Sequence, residues 1–399
     1  MITDTIKEIF QSQQSEIDIP ENAINRRLLD NVKIHPGFAS IITGIRRCGK
    51  STFLKEMMRK AKCTNYLNFE DLRLQKFELT DFEKLENIFG VKENLYYFDE
   101  IQNIKGWEKY VRYALDRKKK IVITGSNASM LSKELGTKLT GRHLNSELFP
   151  FSYKETLEYL GHTAGTESFR KYLLNGGFPE YLKYKTPDIL RRLYEDILYR
   201  DIFIRHKIRN TGTIKELSSY LISNVGNLVT FAGLAKIFEI KSRKSVITYQ
   251  SYFEDSYFLF TVPKFDFSIR KQLVNPKKIY CIDTGLIQAN TLSFTEDYGR
   301  LLENAVFIKL RDSDYKIYYY KNKRECDFVV RIFNKIVNAY QVCYEVNNEN
   351  ETREIEGLYE ALDFFKLKSG VIITFAQEDK LTYKGKTIKL IPGYKWFSK

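Results

Sequence analysis

Eight consecutive residues carry the clearest chemistry in this sequence. Gly44-Ile45-Arg46-Arg47-Cys48-Gly49-Lys50-Ser51 fit the spacing G-x-x-x-x-G-K-[ST] of a phosphate-binding loop. The two glycines let the backbone curl, so that its N–H groups converge on phosphate oxygens. Lys50 would reach the β- and γ-phosphates, and the Ser51 hydroxyl would hold Mg²⁺. Thr52 begins the following helix, whose positive dipole end faces the same anion. Gly44 through Thr52 is therefore the expected nucleotide-contacting stretch. A second signal is Leu95-Tyr96-Tyr97-Phe98-Asp99-Glu100, four apolar residues followed by two acids. A buried strand would deliver Asp99 to the Mg²⁺ shell at its C-terminal end. Glu100, one residue on, can polarise a water for attack on the γ-phosphate. A third is Lys120-Ile121-Val122-Ile123-Thr124-Gly125-Ser126-Asn127, an apolar run with a polar tip. Thr124, Ser126 or Asn127 would face the γ-phosphate there, and Asn127 is the expected sensor.

These residues need elements to position them. Phe38–Thr43 reads as a buried strand, and residues 52–60 as a helix with Phe53, Leu54, Met57 and Met58 on one face. Tyr66–Phe69 reads as another strand, Phe82–Phe89 and Gly106–Arg117 as helices, Met130–Leu139 as a further helix, and His143–Leu148 as a strand. The Lys120–Asn127 strand should lie between the strands that carry the phosphate loop and Asp99. Ahead of this block, residues 3–30 read as a helical lead-in. Ile6, Ile9 and Phe10 form its stripe, Pro20 breaks it, and a second short helix follows near Asn22–Val32.

In this order, the motifs resemble an AAA+ ATPase of the prokaryotic group that carries an uncharacterised C-terminal region after the motor. Phe149-Pro150-Phe151-Ser152 and Asn175-Gly176-Gly177-Phe178-Pro179-Glu180-Tyr181 resemble the same group. The resemblance implies ATP and Mg²⁺ as cofactors and a homo-oligomeric ring. It also implies that Arg142, just before the last core strand, is an arginine finger acting on a neighbouring subunit's ATP. A surface arginine or a local salt bridge is the competing reading of Arg142.

Composition sets bounds on partners. A chain of 399 residues suggests two or three domains, and 43% hydrophobic residues suffice for packed cores. The net charge of +14, from 64 Lys and Arg against 50 Asp and Glu, suits a polyanion, DNA above all. A lysine-rich compositional bias would give the same number. No apolar run approaches the ~20 residues of a membrane span, so no membrane partner is expected. Met1-Ile2-Thr3-Asp4-Thr5-Ile6-Lys7 has no secretory pattern. Cys48, Cys63, Cys281, Cys326 and Cys343 are scattered, with no C-x-x-C pair. That speaks against a disulfide framework or a zinc site, and for the cytoplasm.

Beyond the motor, residues 153–215 read as a helical lid or linker, with Arg200, Arg205, His206, Lys207 and Arg209 close together. Residues 216–270 suggest a winged helix. Its third helix begins after a Ser242 N-cap, and Arg243, Lys244 and Gln250 are placed to meet phosphates or bases. The same module often serves protein contacts. Residues 271–399 change to an α+β order that resembles the restriction-endonuclease-like fold. Active members of that fold hold Mg²⁺ with a helical Glu, a strand Asp and an acid-x-Lys pair. Glu303 and Asp327 match, but Gln341-Val342-Cys343 stands where acid-x-Lys should be. Cys prefers softer metals, and the lysine charge is missing, so the expectation is a catalytically degenerate domain.

The expected architecture is thus an N-terminal helical segment (1–30), an α/β AAA+ core with a parallel sheet (31–152), and then the three regions above. The expected function is a ring-forming Mg-ATPase acting on DNA. The alternatives are an ATP-controlled assembly switch with slow hydrolysis, and an ATP-dependent nuclease.

Overall fold

The computed structural model describes residues 1–17, 24, 26–90, 94–125, 139, 141–292, 297–313 and 315–399. The expected sensor residues Ser126 and Asn127, the Pro20 break, the start of the Asn22–Val32 helix and all but the last residue of the Met130–Leu139 helix lie outside them. The chain divides into two compact units, Met1–Phe149 and Pro150–Lys399.

The first unit is a five-stranded sheet with helices around it. In chain order come α1 (Thr3–Ile17), β1 (Ala39–Thr43), α2 (Lys50–Ala61), β2 (Tyr66–Asn68), α3 (Asp81–Phe89), β3 (Leu95–Asp99), α4 (Trp107–Asp116), β4 (Lys120–Gly125) and β5 (His143–Glu147). The strands pair in the order β2-β3-β4-β1-β5, and every pairing is parallel. β4 lies between β1 and β3, as its apolar run with a polar tip led one to expect. All five residues of β1 are buried, the pattern of a strand covered on both faces. Phe53, Leu54, Met57 and Met58 are buried on α2. Ile6 and Ile9 of α1 are buried as well and join Phe82, Leu85 and Phe98 in one apolar cluster.

The second unit begins with a helix, Tyr153–Leu160, closed at its start by a capping box between Ser152 and Glu155. Within the helical stretch expected over residues 153–215, an α-helix, Asp188–Asp196, runs directly into π-helical turns, Ile197–Ile204. Next come a helix (Gly212–Ser223), β6 (Leu228–Val229), helices Phe231–Ile237 and Arg243–Asp255, β7 (Leu259–Pro263), a short helix (Ile269–Val274) and β8 (Lys277–Cys281). The Ser242 side chain accepts from the Ser245 N–H, the cap expected from sequence. The strands form an antiparallel sheet in the order β6-β8-β7. β8, which the sequence reading assigned to the C-terminal α+β region, pairs here instead. Its partners are the two strands that flank the helix pair, β6 and β7, and it lies between them.

The rest of the unit holds a six-stranded mixed sheet. β9 (Lys316–Lys321), β10 (Glu325–Ile332), β11 (Lys335–Val342), β12 (Ser369–Thr374), β13 (Asp379–Tyr383) and β14 (Lys386–Pro392) pair in the order β13-β14-β12-β11-β10-β9. The helix Glu351–Phe364 buries Ile355, Leu358, Ala361 and Leu362 against it. The hairpin β13–β14 carries no clear sequence signal: β13 has no buried residue and β14 buries only alternate ones, so neither shows a continuous apolar run.

One buried acid ties the turn Gly176–Phe178, between the helices Thr166–Asn175 and Pro179–Tyr184, into the second unit. Asp283 caps the helix Thr284–Asn290 by accepting from Leu286 N at 2.9 Å, and it accepts from Gly177 N at 2.7 Å. Gly176 has φ +67°, and a Cβ there would run into this carboxylate. Burial pushes the Asp283 carboxyl up to about 6, against the pull of backbone N–H groups at Gly177, Leu286 and Gly285. The folded chain therefore holds this proton more tightly than the unfolded chain, whose carboxyl titrates near its ordinary 3.8. The group's contribution to stability is complete below pH 4 and is lost as pH rises to 6, a change on the order of 3 kcal/mol. Asp283→Asn cannot ionise and loses one acceptor at every pH. Relative to wild type, its unfolding free energy in urea should rise between pH 4 and pH 6 and level off above. A pH-independent difference would show that Asp283 does not titrate in this window.

Candidate nucleotide site

The parallel sheet brings the ends of β1, β3 and β4 to one edge, where its strand order reverses. Gly44 follows β1 there, and a Cβ on it would collide with the carbonyl oxygen of Leu148. Gly49, at φ +98°, caps α2 in a conformation that glycine adopts freely. Between them Ile45 and Cys48 are buried, Arg46 is half-buried and Arg47 is exposed. Burial raises the Cys48 thiol despite the nearby Lys50 and Arg26 cations, so it serves as packing and not as a nucleophile. Ser51 is exposed and Thr52 half-buried in the first turn of α2.

Lys50 is 6% exposed. Its ammonium donates to the carbonyl oxygens of Gly44 and Ile45, each at 3.2 Å, and lies 4.0 Å from Glu100 Oε1. The cation is therefore held inside the loop by weak neutral acceptors, which a phosphate oxygen outcompetes. Asp99 is fully buried. Its Oδ1 accepts from the Thr124 hydroxyl, and its Oδ2 from the Tyr66 hydroxyl at 3.2 Å. Thr124 also accepts from the Glu100 N–H at 2.9 Å. One hydroxyl on β4 thus braces both acids at the end of β3. Glu100 adopts a left-handed backbone, φ +51°, rare for a residue with a side chain. Its carboxylate takes a hydrogen bond from the Gln102 amide. Burial above all pushes the Glu100 carboxyl up; Lys50 pulls it down, and Asp99 adds to the rise. A carboxyl raised in this way is suited to accept a proton from water.

The hard oxygen donors of Ser51 and Asp99 fit Mg²⁺, which takes one or two protein oxygens and keeps the rest for water and phosphate. Bound there, the ion would neutralise phosphate charge. Arg142 is on the other edge of the sheet. Its carbonyl accepts from Ala39 N at the start of β1, while the phosphate loop follows the end of β1. Five residues of strand at about 3.3 Å each separate the two edges by roughly 16 Å. Arg142 is half-exposed and pairs with Asp116 at 2.5 Å. The structure brings Lys50, Glu100, Asp99 and Thr124 together, and it keeps Arg142 away from its own subunit's loop.

Three contributors escaped the sequence reading. Arg26 is buried and donates to the carbonyls of Cys48 (3.3 Å) and Phe149 (2.6 Å), pinning the back of the loop. Tyr66 and Gln102 hold the two acids. A tyrosine at the start of an apolar strand carries no signal of such a role, nor does an isolated Arg upstream of the loop.

The chain is 36% identical over 416 residues to an uncharacterised protein of Methanocaldococcus jannaschii, across 96% of this chain and 92% of that protein. The chain belongs to the family of that protein. An uncharacterised Haemophilus influenzae protein is 29% identical over 357 residues, 82% of this chain and 88% of the relative. Residues 37–157 of this family member match the model of an AAA domain, and residues 166–297 match that of a domain of unknown function. An AMPPCP-bound DnaA from Aquifex aeolicus is similar at 15% identity and a TM-score of 0.29, over 57% of this chain and 84% of that one. With the AAA match, the phosphate loop and the parallel sheet, the first unit of this family member is an AAA-type P-loop NTPase domain.

Thr124→Val keeps the shape of the side chain and removes the hydroxyl. It leaves Asp99 Oδ1 and the Glu100 N–H without their partner. Stability should fall by about 1–3 kcal/mol, read as a lower urea midpoint at unchanged slope. An unchanged midpoint would mean that Thr124 does not brace the acidic pair.

Proposed function

We propose that this protein is a Mg²⁺-dependent ATPase whose AAA domain works between copies of the chain. The observation that carries this reading is the split of the machinery across the sheet. Lys50, Ser51, Asp99 and Glu100 stand at one edge, and Arg142 stands at the other. Lys50 and the loop amides bind the phosphates, Ser51 and Asp99 hold Mg²⁺, and Glu100 takes a proton from the attacking water. A cation on the outer side of the γ-phosphate completes the charge stabilisation of such a site, and Arg142 of a neighbouring copy fills that role. Its exposed position and single ion pair with Asp116 leave it free to exchange partners when a neighbour docks. Such a finger contributes roughly 10³–10⁵-fold in turnover.

A second reading, an ATP-controlled switch with slow hydrolysis, draws on the Gln102 amide that engages the Glu100 carboxylate. That contact engages one of the two carboxylate oxygens and fixes the orientation of the side chain.

DNA is the proposed partner of the second unit. The order helix, strand, helix, helix, strand, helix, strand over residues 212–281 resembles a winged helix with one short helix, Ile269–Val274, inserted before its last strand. Lys241, Arg243 and Lys244 are exposed at the start of its third helix. Gln250, expected among the reading residues, is buried and donates to the Leu259 carbonyl at 3.3 Å, so it leaves the proposed surface. His206, from the basic stretch Arg200–Arg209, stacks on Tyr252 with ring centroids 3.6 Å apart. No helix among the described residues is long and apolar enough to cross a membrane.

Steady-state ATP turnover tests the first reading. Lys50→Ala should lose nucleotide binding, while Glu100→Gln should bind ATP and retain it. Arg142→Ala should bind ATP but hydrolyse it at least 10²-fold more slowly. Mixing Arg142→Ala with Lys50→Ala chains should restore part of the activity, because some interfaces then pair an intact loop with an intact arginine. Full turnover by Arg142→Ala would reject the trans role. Equally slow hydrolysis by wild type and Glu100→Gln would favour the switch. The DNA reading has a separate test. Duplex affinity should fall steeply with salt, and charge reversal at Arg243 and Lys244 to Glu should lower it further. Unchanged affinity in the folded double variant would remove this helix from the DNA surface.

A further inference from the structure

Lys278 is a charged residue in a buried strand, β8, of the three-stranded sheet. Its side chain is 3% exposed. The ammonium lies 2.9 Å from Glu303 Oε1, 3.0 Å from Glu325 Oε1 and 2.7 Å from Asp327 Oδ1. Glu303 comes from the helix Tyr298–Asp312, and Glu325 and Asp327 open β10 of the six-stranded sheet. Neighbours complete the cluster. The Tyr280 hydroxyl donates to Glu303 Oε1 at 2.6 Å, Val342 N to Asp327 Oδ2 at 2.9 Å, and Lys321 Nζ to Glu325 Oε2 at 3.2 Å. Gln341 points elsewhere: it donates to Glu354 at 2.7 Å and accepts from Asp327 N at 3.3 Å.

Carboxylates that converge away from bulk water require a cation between them. An ammonium meets three acceptors with three N–H donors. A divalent ion would draw its oxygens in to about 2.0–2.6 Å, and the 2.7–3.0 Å spacing found here is that of charge-assisted hydrogen bonds. Among the described residues, no group of three His, Cys, Asp or Glu side chains is arranged to hold a metal. The lysine that the sequence lacks at position 343 is thus present in space, delivered from another sheet.

We propose that Lys278 is a built-in cation: its ammonium occupies the position a divalent metal would take among Glu303, Glu325 and Asp327, and it fastens β8 to the six-stranded sheet. The cluster then binds no metal and carries out no metal-dependent phosphodiester cleavage. It acts as a fixed joint between the helix-rich module over residues 212–281 and the C-terminal sheet. This inference is independent of the ATPase reading.

Thermal unfolding of the full-length, nucleotide-free chain tests it, with Mn²⁺ binding followed by electron paramagnetic resonance. Wild type should melt at the same temperature in EDTA and in millimolar Mn²⁺. Lys278→Met leaves the carboxylates without a cation, and its midpoint should fall by on the order of 10 °C. Mn²⁺ should restore part of that loss with one ion bound per chain, and Asp327→Asn in the same background should abolish the rescue. Lys278→Arg keeps the charge and should stay insensitive to Mn²⁺, which gives a reading even if Lys278→Met does not fold. Mn²⁺ binding by wild type that Asp327→Asn abolishes would overturn the proposal. So would a folded Lys278→Met chain that ignores Mn²⁺, or a Lys278→Arg chain that responds to it.

Discussion

A charge taken out of water must find a partner of opposite sign or a set of hydrogen-bond donors, and both units of this chain are arranged around that demand. Asp99 is fully buried at the end of β3. Hydroxyls from β2 and β4, those of Tyr66 and Thr124, satisfy its two oxygens. Three adjacent strands are thereby fixed in register at the edge where the phosphate loop emerges. Without that brace, neither the carboxylate nor the unusual backbone of Glu100 would hold its place beside Lys50.

The same demand shapes the second unit. Asp283 stays buried because backbone N–H groups from two segments converge on it. In doing so it locks the Gly176–Phe178 turn to the helix Thr284–Asn290. Lys278 stays buried because three carboxylates surround it. These charges are costly to strand alone, so each joins elements far apart in sequence and resists their separation. The two units differ in use. In the first, Lys50 rests on neutral carbonyls and can be drawn off by an anion. In the second, the Lys278 ammonium is fully matched and has no reason to move.

The AAA-type core was legible because its chemistry is local. The phosphate loop is eight consecutive residues, and the strand before it and the helix after it announce themselves by apolar pattern. The acidic pair at 99–100 closes a run of four apolar residues, so its strand and its position at the strand's end follow together. The place of β4 between β1 and β3 was legible from its apolar run and polar tip, while the outer positions of β2 and β5 were not. The sensor expectation at Asn127 lies outside the described residues, and Thr124, two positions inside the strand, is the side chain seen to engage the acids.

What the sequence determined by itself is therefore what short-range spacing encodes: the loop, the buried strands and the Ser242 cap, while Glu303 and Asp327 were marked by the resemblance to the restriction-endonuclease-like fold. What only the tertiary structure decided is which distant groups meet. β8 joined the three-stranded sheet, and this brought Lys278 into the acid cluster whose own strand offers Cys343. Gln250 turned into the core because its position on the helix faces Leu259. Arg142 came to the sheet edge opposite its own loop because β1 and β5 run parallel. Hydrophobic pattern and turn chemistry act over a few residues and leave a trace in the sequence. The pairing of buried charges acts through space between segments tens of residues apart, and leaves none.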